Sequence, residues 1–267
     1  GEVPDLYRLT VDEIYIVSAC AYLYEIGMQR HAFRSPPLNF SANEDENLTF
    51  AQLEEIRGKK HLLSQQMIME YLKSPNTADI ELGMADDEYA PIIADVCGFC
   101  SEQVNLEDVP EFGYVYGHSL RIRSMVALLR LAERLSNATS RVNLDLLDAA
   151  WKEGALIIDD YVYWWVSHYV SVLPIKQGQL RFNYYLPHKQ KEYLGYVRAV
   201  IELPFEQAND AVIRHLAQAF KLYLKVGDPV ISRFETGPFQ RLMTEEILTY
   251  LVREVKPLGT TSTLQDR

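Results

Sequence analysis

The stretch Leu48-Thr49-Phe50-Ala51-Gln52, continued by Glu54-Glu55-Ile56-Arg57-Gly58 and closed by His61-Leu62-Leu63-Ser64, decides the fold of this chain. Thr49 followed by Gln52 has the spacing of a capping box, in which each side chain satisfies the other residue's backbone N–H at a helix start. The run predicts a helix through His61 to Tyr71, with Gly58 as the point where it can break. Upstream, Thr10-Val11-Asp12-Glu13 repeats the capping-box spacing. Ile14, Val17 and Ala21 then recur at helical intervals toward Tyr24 and Glu25, and Gly27 ends the helix. Between the two, residues 31–47 are rich in proline, serine, asparagine and acids and read as a long surface loop.

Downstream, the acids Asp86-Asp87-Glu88 precede a short apolar helix over 89–100, with Pro91 in its first turn. Ile122, Val126 and Leu129 recur at helical spacing in 120–135, and Asn143 caps a further helix through Ala155. To about residue 155 the chain reads as almost all helix. The pattern then changes. Residues 161–172 and 179–186, aromatic and β-branched, predict a β-hairpin around 174–178, with Tyr163, Trp164, Trp165 and Tyr169 alternating between strand faces. Asp159-Asp160 reads as the turn that caps it. A further strand is expected over 197–203, and helices over 209–225 and 244–255. The fold class is therefore mainly α: a helical domain over 8–155, an α+β extension over 156–258 packed on it, and a polar tail over 259–267.

With 267 residues and 48% hydrophobic composition, the chain can bury a full core without staples. Three cysteines, Cys20, Cys97 and Cys100, are too few for a secreted disulfide framework, and no secretory signal opens the chain, so a reducing cytoplasm is expected. Cys97-x-x-Cys100 has no second Cys/His pair nearby, which makes it a poor zinc motif. The net charge of −11 repels phosphate backbones and argues against duplex nucleic acid. The most apolar run, 161–175, is shorter than a bilayer span, so no membrane partner is expected.

Four segments carry a resemblance. Leu23-Tyr24-Glu25-Ile26-Gly27-Met28, the run from Arg57 to Ser64 around His61, the segment from Ile93 to Glu102, and Leu129-Arg130-Leu131-Ala132-Glu133-Arg134-Leu135 stand in the order and rough spacing of a metal-dependent HD phosphohydrolase. The chain resembles that superfamily over about residues 10 to 145, and is most similar to the bacterial branch called HD-CE. Leu48-Thr49, Glu54 or Glu55, Ile56-Arg57, His61-x-x-Ser64 and the Leu120-Arg121-Ile122-Arg123 helix carry the likeness. Trp164-Trp165, His168 and Phe182-Asn183-Tyr184-Tyr185-Leu186-Pro187 extend it.

The resemblance implies a helical bundle in which histidines and aspartates hold one or two divalent ions that activate water for phosphoester cleavage. The departures argue against that chemistry. Tyr24 stands where the family has histidine, and a phenol with a pKa of about 10 is a poor neutral-pH ligand. Glu25 and Glu133 replace aspartates with longer acids, and the histidines the family places near Phe99-Cys100 are missing. Glu25, His61 and Glu133 remain, a thin set for Mn²⁺ or Mg²⁺.

The expectation is a non-catalytic sensor or interaction module without a resident metal, in which Tyr24 fills the old metal cavity. Glu25 is expected to pair with His61 or an arginine, and Glu133 with Arg57, Arg121 or Arg130. Arg57, His61, Arg121 and Arg123 are the candidate ligand-binding residues. Arg121 and Arg123, with His118, either cradle a phosphate or pair with nearby acids. The resemblance implies a nucleotide or protein partner, and a place in longer bacterial signalling or defence proteins, sometimes beside an Hsp90-like ATPase module. The alternative is a phosphohydrolase acting on a nucleotide or cyclic dinucleotide through Glu25, His61 and Glu133.

Overall fold

The computed structural model describes residues 8–29, 33–43, 47–73, 88–135, 143–175, 179–221, 225–226, 230–231 and 241–258. The expected acidic turn at Asp86-Asp87, the tip of the 174–178 connection and the 259–267 tail lie outside them. The chain forms two compact units, one of Gly1–Leu131 with Arg214–Lys221 and the other of Ala132–Ile213 with Leu222–Arg267.

The first unit is helical. Helix α1 (Val11–Leu23) opens with the full Thr10/Glu13 capping box, and a 3₁₀ turn, Ile26–Gln29, follows it. Helix α2 (Phe50–Gly58) opens with the Thr49/Gln52 box and stops at Lys59, after which α3 (Lys60–Lys73) continues on a new axis. The break falls at Lys59, just past Gly58. Residues 33–42 of the long loop are held down by α2: Asn39 N–H and the Lys59 ammonium both bond to Glu55 Oε1, at 2.8 and 2.7 Å. Beneath them Leu38, Ile56 and Leu63 form a buried cluster flanked by Phe33, Phe40 and Leu48.

Helix α4 (Ala90–Phe99), with Pro91 in its first turn, packs against α1 and α3. A hairpin the sequence reading missed follows, β1 (Gly113–Val115) and β2 (His118–Leu120), turned by Tyr116 and Gly117 at φ 51° and 79°. Two successive positive φ values define a two-residue turn whose twist suits a hairpin, and glycine supplies one of them without strain. Helix α5 (Ile122–Leu135) follows directly.

In the second unit, α6 (Leu144–Lys152) is capped by Asn143 as expected. The expected long hairpin is corrected in part: Ile158–Ser167 is a helix, α7, and the hairpin is confined to β3 (Val170–Ile175) paired with β4 (Gln179–Tyr184). Tyr161, Val162, Trp165 and Val166 are all buried, which is one helical face and not a strand alternation. Asp159 and Asp160 lie in the first turn of α7, where carboxylates suit the helix dipole.

The expected strand over 197–203 is also overturned, because these residues lie inside α8 (Leu194–Phe220). Leu194, Val197, Ile201 and Phe205 are buried at intervals of three and four, the helical period. Its end at Phe220 shortens the helix expected to 225, and Lys225–Val226 is strand β5, parallel to β4. A further short strand, β6 (Val230–Ile231), also runs parallel to β4, and α9 (Glu245–Glu254) starts at Thr244 as expected. The fold is thus mainly α with a smaller α+β part containing a β-hairpin. Among the described residues, no helix is long and apolar enough to cross a membrane.

One contact sets the geometry of the first unit. A Cβ added to Gly27 would lie 2.4 Å from Leu63 C and Ser64 N, so the turn after α1 rests directly on the α3 backbone. Gly27→Ala is expected to destabilise the chain by about 3 kcal/mol, read as a lower urea midpoint. An unchanged midpoint would mean that the turn and α3 are not in this contact.

Candidate functional site

The motif residues of the first two segments meet where the 3₁₀ turn lies on α3. Ser64 Oγ donates to the Tyr24 carbonyl at 2.9 Å and accepts the Gly27 N–H at 3.0 Å, so one buried hydroxyl ties both ends of the Glu25-Ile26-Gly27 motif. Ser64 is one helical turn beyond Lys60, and this places the Lys60 ammonium 2.7 Å from Glu25 Oε1. The same ammonium sits 5.1 Å from the centre of the Tyr24 ring. The partner expected for Glu25, His61 or an arginine, is therefore corrected to Lys60.

Electrostatics explain the pairing. Glu25 lies just past the C-terminal end of α1, where a carboxylate opposes the helix dipole, and Lys60 is the first residue of α3, where an ammonium does. Each charge offsets the other's poor position. The Tyr24 ring adds a cation–π contact rather than a ligand.

His61 is buried, at 6% exposure. Burial, followed by the positive charges of Lys60 and Arg130, holds its pKa below the ordinary value, which favours the neutral imidazole. Arg130 is itself buried and donates to the carbonyls of Phe99 and Val104, both at 2.7 Å. It thus fixes the end of α4, near which the family carries histidine. Sequence reasoning weighed Arg130 only as a partner for Glu133 and passed over Lys60, although Lys60 adjoins the one motif histidine.

The remaining candidates are placed as follows. Glu133 is half-buried on the last turn of α5 and belongs to the second unit, whereas Glu25 and His61 belong to the first. Arg57 is exposed on α2 and pairs with Glu54 at 2.8 Å. Arg121 binds both carboxylate oxygens of the buried Glu13, at 2.9 and 2.6 Å, and donates to the Arg8 carbonyl. Glu13 thereby joins the helix cap to an internal ion pair, and its pKa is lowered by Arg121 and by backbone N–H bonds, against its burial. Arg123 donates to the carbonyls of Val109 and Glu107. His118 bonds Asp12 at 3.0 Å.

The structure thus brings together Tyr24, Glu25, Lys60 and Ser64, with His61 following Lys60 on α3. A divalent ion fits this set badly: the carboxylate carries an ammonium, and two cations already bear on the imidazole. Among the described residues, no group of three or more His, Cys, Asp or Glu side chains is arranged to hold a metal ion.

An HD-type helical domain is therefore what the motif order and the fold define. A model of the HD-CE family matches residues 3–149, more than half of the chain, and the chain belongs to that family. No curated protein and no solved structure matches it.

The shifted histidines make stability depend on pH with a definite sign. His215 on α8, 3.0 Å from Ser124 Oγ, also has a lowered pKa, from burial and then Arg123, with Glu111 opposing. A histidine that resists its proton when folded, while the unfolded chain accepts it, contributes fully above its unfolded pKa of about 6.5. That contribution is lost as the pH falls through and below this value. Urea midpoints are expected to drop between about pH 7 and pH 5, and His61→Gln with His215→Gln to flatten that drop. An equal slope in the double variant would contradict the assignment.

Proposed function

We propose that the chain is a non-catalytic HD-type domain that acts as a sensor or protein-interaction module. The observation that carries this reading is the Lys60 ammonium on Glu25, against the Tyr24 ring. It places an ammonium on the carboxylate that a hydrolytic centre would need for its metal, and a divalent ion there would have to compete with that charge. Burial and the neighbouring positive charges lower the His61 pKa, which favours the imidazole form that can accept a hydrogen bond from a ligand. A nucleotide is the ligand class the family resemblance favours.

The same imidazole form of His61 is also what the rival reading needs, a phosphohydrolase of nucleotides or cyclic dinucleotides with Glu25, His61 and Glu133 around Mn²⁺ or Mg²⁺. Purified chain incubated with Mn²⁺ or Mg²⁺ and a panel of nucleotides and cyclic dinucleotides is expected to show no turnover that His61→Ala removes. Turnover abolished by that substitution would establish the rival. In a thermal-shift screen of the same panel, at least one nucleotide is expected to raise Tm, because a ligand bound only by the folded state stabilises it. A flat screen would instead point to a purely structural scaffold.

A further inference from the structure

The β1–β2 hairpin carries the densest set of exposed aromatic side chains among the described residues of the first unit. Phe112, Tyr114 and Tyr116 are 50%, 69% and 57% exposed. Tyr114 projects from β1, Phe112 precedes that strand and Tyr116 opens its turn, so three exposed rings lie within five residues of one hairpin. Tyr116 stands edge-on to Tyr89, at 6.0 Å, and Tyr89 to Tyr15, at 5.0 Å. The set is built in: Asp12 accepts the Tyr89 hydroxyl at 2.6 Å and holds His118 of β2 on its other oxygen. In the two-stranded sheet, β1 and β2 pair only with each other among the described residues.

Charge narrows what can cover this face. From Ser101 to Ser119 the chain carries four carboxylates, Glu102, Glu107, Asp108 and Glu111, and neither lysine nor arginine. All four are exposed. The nearest cations in sequence, Arg121 and Arg123, are turned onto Glu13 and onto backbone carbonyls. Aromatic faces beside carboxylates attract cationic side chains through the ring quadrupole and through charge, and they repel phosphate. An anionic membrane and a nucleic acid are therefore poor occupants.

We infer that this hairpin face is a docking surface for an extended, lysine- or arginine-bearing segment of a partner protein. The inference deepens the interaction-module reading by naming the partner's chemistry. It is separable from the assays above, which interrogate Glu25 and His61.

A fluorescein-labelled peptide of alternating lysine and threonine, titrated with the full chain and followed by anisotropy, is expected to bind saturably. Phe112→Ser with Tyr114→Ser is expected to weaken it about tenfold, since each lost ring removes one cation–π contact. Both side chains are exposed, so Tm should hold; if the pair lowers it, Tyr114→Ser alone carries the test with a smaller loss. A matched glutamate and threonine peptide should not bind. Unchanged affinity in a folded ring variant, which keeps every charge, would reduce the binding to general attraction toward an acidic chain and overturn the inference. Failure of the lysine peptide to bind, or preferential binding of phosphatidylserine vesicles or duplex DNA, would overturn it as well.

Discussion

The ion pair between Lys60 and Glu25 joins two helix ends that each carry the wrong charge, and the site around His61 follows from it. Both side chains are partly exposed, at 25% and 45%, so the pair is worth only about 0.5–1 kcal/mol to stability. Its consequence is occupancy. The ammonium takes up the carboxylate's charge, lies against the Tyr24 ring, and adds its positive charge to the burial that lowers the His61 pKa. The pairing is possible because Gly27 lets the turn touch α3 and Ser64 ties that turn at both ends.

Most of the residues that carried the family resemblance have structural duties. Thr49 caps α2, Glu55 pins the loop, Ile56 fills the cluster under it, and Ser64 and Gly27 set the approach of the turn to α3. Such residues answer to backbone geometry, so their presence in the motifs follows from the fold and does not depend on a bound ion. The helices of the first unit were legible for the same reason: capping boxes and helical spacing are local signals. The charge partners were not legible, since the choice of Lys60 over His61 or an arginine depends on where α3 begins relative to the end of α1.

The misread elements have equally physical causes. Residues 161–169 are aromatic and β-branched, which favours strand by propensity, yet the buried set follows the helical period and tertiary burial decided the outcome. Burial likewise made 197–203 helical, and Arg198 closes on the buried Glu202 one turn later, at 2.9 Å on both oxygens. Tyr184 of β4 donates to that same carboxylate at 2.6 Å, a bond between residues 18 apart. The Arg241 guanidinium similarly bridges Asp145 and Asp148, while Tyr161 and Trp165 donate to Asp148. Partners this distant leave no periodic trace. The small hairpin at Tyr116-Gly117 was overlooked because its strands are three residues each, too short for alternation to register.

Calorimetric titration of Mn²⁺ into the intact chain and into Lys60→Met tests the central claim most directly. With the ammonium as resident cation, the intact chain should show no stoichiometric site, and removing the ammonium should raise Mn²⁺ affinity about tenfold or more, as expected for loss of a like charge beside the ligand. One tightly bound Mn²⁺ per chain with Lys60 in place, unaltered by the substitution, would contradict it.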